Sequence, residues 1–202
     1  MNPTSVDVPL ACLRGVSFSY KDAPQTIHEA TFSVNAGECV VLCGPSGVGK
    51  TTLIRLINGL AGGFYKGTTT GSVSLGDQDA ASLAQWERAE KVGSVFQDPS
   101  SQFFSSQLAG EIAFTCENLG YDHERIVSLT DQAISSFSLD NLRSIPNDSL
   151  SSGQKQKVAI ASALGPRPSL LAMDEPSSNL DENASAHLGR TLKKLKQQGF
   201  AM

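Results

Sequence analysis

The apolar positions of this chain follow two rhythms. Residues 10–20 (LACLRGVSFSY) mix apolar and small polar residues in a strand-like way, and residues 30–35 predict a second strand. Residues 38–43 are nearly all apolar and predict a strand central in a parallel sheet, covered on both faces. Cys39 and Cys43 lie in that run and are expected to be buried free thiols. A glycine-rich loop follows, and then Leu53, Ile54, Ile57 and Leu60 recur at a helical period. Residues 61–71 (AGGFYKGTTTG) are expected to be a flexible loop, and SVSLGDQDA after it a short strand and turn. Asp79 is placed to cap a helix carrying Leu83 and Trp86, and residues 91–97 (KVGSVFQ) form a strand that delivers Gln97 at its end.

The pattern then turns helical. Leu108, Ile112, Ala113, Cys116 and Leu119 keep a helical period that stops at Gly120. Ile126, Leu129, Ala133, Ile134 and Phe137 repeat it, so residues from about 98 to 165 are expected as a mostly helical insertion between strands. Within that stretch, LSSGQKQKVAIASALG is a loop feeding a helix that closes at Gly165. SLLAMDEPSS follows as an apolar strand ending in two acids, and ENASAHLGRTLKKLKQQG as an amphipathic helix with Gly199 as its stop. Strands alternating with helices argue an α/β fold with a parallel sheet. Ligands of such sheets sit at the C-terminal strand ends, so Gly44–Thr51, Gln97 and Asp174–Glu175 should converge on one edge.

Composition narrows the function classes. The 202 residues are 40% hydrophobic and 18% charged, which describes one globular domain with a sizeable core. The net charge of −4 and the lack of a dense Lys/Arg run give no electrostatic footprint for nucleic acid, so no such partner is expected. None of the four cysteines forms a C-x-x-C pair or a metal-spaced cluster. With no signal-like N-terminus and no apolar window near the roughly 18 residues of a membrane span, the chain is expected to be cytoplasmic and soluble when isolated.

The candidate chemistry starts at VVLCGPSGVGKTT, residues 40–52. Glycines at 44, 47 and 49 let a loop curl its N–H groups inward around Ser46, and the helix that starts near Lys50 adds free donors and partial positive charge. Lys50 is a point charge for the outer phosphates of a nucleotide, Thr51 offers an oxygen to Mg²⁺, and Thr52 continues the cradle. Asp174 and Glu175 end an apolar run, where buried acids are costly without a partner. A Mg²⁺ held by Thr51 and the phosphates would be that partner, with Asp174 in its shell and Glu175 free to polarise an attacking water. Gln97 is placed to touch both metal and water. Ser151, Gly153 and Gln154 in LSSGQ form a second anion-binding arrangement, although an isolated pentapeptide of this kind is more often a simple helix cap.

The loop at 44–51, Gln97, LSSGQ, LLAMDEP and SNLD (178–181) occur in the order of an ATP-binding-cassette (ABC) ATPase, which the chain resembles over nearly its whole length. The resemblance implies a P-loop fold with an antiparallel N-terminal β subdomain, a parallel core sheet and the helical insertion. It implies ATP and Mg²⁺ as ligands and a head-to-tail dimer, homo- or heterodimeric. Ser151, Gly153 and Gln154 of one domain then cover the ATP of the other, with Asp181 at the seam. It places Tyr20 at the adenine-stacking position. The run VFQDPSSQFFSSQLAGEIAFTCENLG (95–120) is similar to energy-coupling-factor ATPase subunits, which drive uptake of vitamins or of cobalt and nickel ions. Such subunits sit on the cytoplasmic face of the membrane against integral membrane partners, and Phe103 and Phe104 become candidate docking anchors.

Two departures stand out. Ser152 replaces the usual first glycine of the signature pair. The family also places a histidine after a final strand, whereas this sequence stops at GFAM, and His28, His123 and His187 lie elsewhere. The chain is therefore expected to be a C-terminally short ABC domain that binds ATP with impaired hydrolysis. The rival readings are a non-transport ABC ATPase, a nucleotide-binding module that barely hydrolyses and, remotely, a P-loop kinase, which would explain neither LSSGQ nor SNLD.

Overall fold

The computed structural model describes residues 8–21 and 25–202. Strands β1 (Ala11–Tyr20), β2 (Gln25–Val34), β3 (Gly67–Leu75) and β4 (Gln78–Asp79) form an antiparallel sheet in the order β2-β1-β3-β4. Strands β5 (Val92–Val95) and β6 (Leu170–Met173) pair in parallel, from Val92 opposite Leu170 to Val95 opposite Met173. Leu171 N–H donates to the Ala201 carbonyl at 2.9 Å, and the chain end then exchanges two backbone bonds with residues 38–40. In one, Met202 N–H donates to Glu38 O at 2.9 Å; in the other, Val40 N–H donates to Met202 O at 2.8 Å. The parallel layer thus runs from residues 38–40 through 201–202 and β6 to β5.

Strand β6 has apolar side chains on both faces because both faces are covered. Leu170 and Ala172 join Phe18, Leu13, Val16, Leu56 and Ile57 in a core between the antiparallel sheet and helix α1 (Lys50–Ile57). Leu171 points the other way, into a core with Ile112, Ile134, Val158 and Ile160. That second core is built by helices α3 (Leu108–Asn118), α4 (His123–Ser136), α5 (Ser152–Leu164) and α6 (Glu182–Gln197). A further helix, α2 (Gln85–Lys91), leads into β5. Among the described residues, no helix is long and apolar enough to cross a membrane.

Several expectations need correction. Residues 38–43 form no regular strand: among the described residues the segment pairs with the chain only through Glu38 and Val40, and Val41 is 73% exposed. Cys39 and Cys43 are exposed rather than buried. Residues 67–71 belong to β3 rather than to a loop. Gly67 acts there by close approach, since a Cβ on it would lie 2.4 Å from Phe18 Cζ, and the threonines after it suit a pleated strand. Helix α1 stops at Ile57, because Asn58 caps it and Gly59 takes φ 80°, which leaves Leu60 outside. Asp79 caps only the short 3₁₀ turn Ala80–Ser82, and α2 is started separately by Glu87 accepting from Ala84 N–H at 2.7 Å.

Candidate functional site

The turn from residue 44 to residue 50 is set by backbone geometry that side chains resist. Gly47 has φ 80° and Gly49 φ 104°. At Gly49 a Cβ would also stand 2.5 Å from Ile27 Cδ1 and 3.2 Å from the Thr26 carbonyl, so the loop is seated directly against β2. Gly44 and Ser46 lie exposed along the same turn. Helices α4, α5 and α6 each have a side-chain cap, from Asp122, Ser151 and Asp181. The N-cap of α1 is Gly49, with no side-chain cap and no acid in the first turn, so its leading N–H groups face the loop.

Four elements bring their polar ends to this point. Lys50 Nζ donates to the carbonyls of Gly44 and Pro45, each at 3.0 Å, and stands 3.6 Å from Glu175 Oε1. Thr51 Oγ1 donates to Asp174 Oδ1 at 3.0 Å. Asp174 is only 7% exposed and continues the ladder beyond β6, its N–H donating to Val95 O at 2.9 Å. Gln97 Nε2 donates to Glu175 Oε2 at 3.2 Å, and Asn179 Nδ2 donates to the Gln97 carbonyl at 3.3 Å. Glu175 takes φ 45°, an uncommon value outside glycine that turns its carboxylate toward Lys50 and Gln97. Lys50, Thr51, Gln97, Asp174 and Glu175 therefore meet, as their strand-end positions predict.

The donor set suits a hard divalent cation. A hydroxyl, a buried carboxylate and a nearby amide are all oxygen ligands, and among the described residues the side-chain donor to the Asp174 carboxylate is the neutral Thr51 hydroxyl. Among the described residues no cluster of three or more His, Cys, Asp or Glu side chains could hold a metal by itself. An ion at Asp174 would need oxygens from a ligand as well.

Other predicted residues lie elsewhere. Tyr20 reaches the helix start, its hydroxyl 3.0 Å from Thr52 Oγ1, so the buried Thr52 side chain meets a tyrosine. Ser151 and Gln154 form a reciprocal capping box: Gln154 N–H donates to Ser151 Oγ at 3.3 Å and Ser151 N–H to Gln154 Oε1 at 2.8 Å. With Gly153 and Asp181 they line a cavity of about 300 Å³ between α5 and α6, and that cavity shares no residue with the one beside Lys50 and Asp174. His187 borders it, and partial burial, then Lys157, Arg190 and Lys194, lower its imidazole below the ordinary value. Ser152, on α5, is exposed.

The two phenylalanines separate. Phe103 is partly buried against the helical core, whereas Phe104 is 76% exposed and stacks on Phe114 at 4.6 Å between ring centroids. Buried Glu111 fixes this loop, its Oε2 accepting from Phe104 N–H at 2.8 Å and Ser105 N–H at 2.9 Å. Sequence reasoning missed Glu111, although a lone acid inside the apolar period of α3 was a signal. It also missed Arg55 and Tyr65, for which no local pattern exists. Phe104 and Glu111 border a groove of about 230 Å³ with Arg88, whose guanidinium burial holds below its ordinary pKa while Asp79 opposes.

Comparison with known proteins converges on the same arrangement. The family model described as "ABC transporter" matches residues 27–178. A protein of Treponema denticola named as an ABC transporter ATP-binding protein is 40% identical over 191 residues, covering 94% of this chain but 39% of its own length. A Streptomyces avermitilis protein of the same description is 34% identical over 96% of this chain and 72% of its own length. The chain spans about two-fifths or less of the first curated relatives it matches. Among solved structures, cbiO1 of Clostridium perfringens, described as part of the ABC transporter complex cbiONQ, superposes with a TM-score of 0.83 at 26% identity. That match covers 95% of this chain and 75% of the other. A glycine loop seated on β2, an acidic pair at the end of β6 and a family model matched across both make this chain a member of the ABC transporter family, an ATP-binding domain with the P-loop fold.

Proposed function

We propose that the chain is the ATP-binding and hydrolysing part of an importer of the energy-coupling-factor class, which takes up a vitamin or, as cargo, cobalt or nickel ions. The meeting of Lys50, Thr51, Asp174, Glu175 and Gln97 at one sheet edge carries the nucleotide reading. Gly44, Ser46, Gly47 and Gly49 turn loop N–H groups toward the phosphates, and Lys50 leaves the Gly44 and Pro45 carbonyls to meet the outer ones. Thr51, Asp174 and the amide oxygen of Gln97 would hold Mg²⁺. That ion, when bound, supplies charge neutralisation at the phosphate oxygens. Glu175, oriented by Gln97, polarises the water for in-line attack, and Tyr20 stacks on the adenine.

Closure needs a second ATPase domain, of the same or another chain, whose Ser151, Gly153 and Gln154 cover the nucleotide from the far side while Asp181 lies at the seam. The separation of these residues from Lys50 within one chain supports contact in trans. The importer class is supported by the QDPSSQFF run and by the likeness to cbiO1, which belongs to a complex with further subunits. Phe104, stacked and exposed beside a groove, is the anchor for an integral membrane subunit, so the domain works peripherally at the cytoplasmic face. Titration calorimetry with Mg·ATP tests the core of the proposal: Lys50→Ala should raise Kd by at least about tenfold, the scale of one charge-assisted contact. Equal affinity in the two proteins would overturn the phosphate assignment.

A further inference from the structure

We infer that Arg55 is a positioning residue for nucleotide-base recognition: with Tyr65, it locks the ring of Tyr20 onto the first turn of α1. The inference rests on the proposed role of Tyr20 as the base-stacking residue. A guanidinium in the last turn of a helix is ordinarily a solvated cation near the helix C-terminus. Arg55 instead lies over the Tyr65 ring, its Cζ 4.1 Å from the centroid, and donates from Nη1 to the Tyr20 hydroxyl at 3.2 Å.

The Tyr20 hydroxyl is also 3.0 Å from Thr52 Oγ1. Arginine is a donor only, so the Tyr20 oxygen accepts from it. An arrangement in which Tyr20 gives its single proton to Thr52 uses each donor once and leaves the Thr52 proton free for a further acceptor. Phe18 makes a T-shaped contact with the ring at 4.8 Å between centroids, and Tyr65 lies perpendicular to it at 6.3 Å. Neither of these two rings stacks parallel on Tyr20. Tyr20 comes from β1, Thr52 and Arg55 from α1, and Tyr65 from the segment before β3. The stacking ring and the phosphate helix thus become one rigid unit, and a base bound at Tyr20 has a fixed offset from a phosphate bound at α1.

The test compares Mg·ATP with tripolyphosphate, which has the phosphates but no base, by titration calorimetry on the full chain. Stacking of a base on an aromatic side chain is worth roughly 5- to 150-fold in affinity. Partial loss of its orientation in Arg55→Ala should raise the ATP Kd about fivefold or more and leave the tripolyphosphate Kd within about twofold. Arg55→Lys keeps the charge and the helix propensity but not the planar stack on Tyr65, and should recover less than half of the lost affinity. The inference is overturned if ATP affinity is unchanged in both variants, or if both ligands weaken equally, as a general defect of the fold would produce. If the wild-type chain binds neither ligand, the nucleotide reading itself falls first.

Discussion

Thr51 and Asp174, 123 residues apart, are joined by a 3.0 Å hydrogen bond from hydroxyl to carboxylate. The bond links the first turn of α1 to the end of β6. It also leaves a buried carboxyl group whose side-chain donor, among the described residues, is a neutral hydroxyl, an arrangement that serves a ligand better than it serves stability. Asp174→Asn should therefore raise the melting temperature of the ligand-free chain by roughly 2–4 °C, the shift expected for about 1 kcal/mol. The same variant should need at least about tenfold more Mg²⁺ to bind ATP. Thermal unfolding without Mg²⁺, and ATP titrations across a Mg²⁺ series, measure the two effects; a lowered melting temperature would count against the first.

Glu175 stands between Lys50 and Gln97. Removing its charge while keeping its shape, as Glu175→Gln does, should lower ATP turnover about 10²–10⁴-fold, the usual worth of a positioned general base. ATP affinity should fall by less than about threefold. Phosphate release together with equilibrium ATP binding checks this, and turnover near wild type would remove Glu175 from the water-activating role.

The two loop glycines should differ in cost. Gly47→Ala meets open space at φ 80° and should lose about 1–2 kcal/mol from backbone strain alone. Gly49→Ala adds a collision with Ile27 and the Thr26 carbonyl and should lose more, about 3 kcal/mol or above. Denaturant unfolding of the two variants gives the ranking, and equal losses would mean that β2 moves away freely.

Thiol labelling reads the exposed segment before the loop. Cys39 and Cys43 are exposed and should react fast with an alkylating reagent at pH 8, while Cys116 is buried and should stay protected until unfolding. Burial pushes the Cys116 thiol above its ordinary 9.0, with Arg125 pulling the other way, so its thiolate fraction is small at that pH. Bound ATP should slow Cys43, which adjoins Gly44. Mass spectrometry after timed quenching resolves each site.

Phe104 and Glu111 separate docking from folding. Glu111→Ala strips the acceptor from two loop N–H groups and should cost about 2–4 kcal/mol. Phe104→Asp alters an exposed ring and should leave stability and ATP affinity nearly unchanged while abolishing co-purification with the proposed membrane subunit. Retained co-purification would move the docking surface elsewhere.

Helices α3 and α4 were legible from their apolar periods, a local property, and α5 and α6 from the glycines at 165 and 199 that follow them. The strand predicted at 38–43 was misjudged because apolarity says that a segment can be covered, not that a neighbour covers it. Gly67 was misread for a related reason. Its lack of a side chain was taken as loop punctuation, whereas the ring of Phe18, 49 positions earlier, is what forbids a Cβ there.

By itself, the sequence determined the chemistry on offer: a glycine loop ending in lysine and threonine, an acidic pair closing an apolar strand, and a serine-glycine turn at a helix start. Those follow from residue type and spacing, which fix backbone freedom, charge and donor count wherever the chain lies. Only the tertiary structure decided which of these groups meet. It put Thr51 on Asp174 and Tyr20 on Thr52 and Arg55, and left Ser151 with its own cap, because hydrogen bonds act over about 3 Å and only packing of the sheet layers brings distant segments that close.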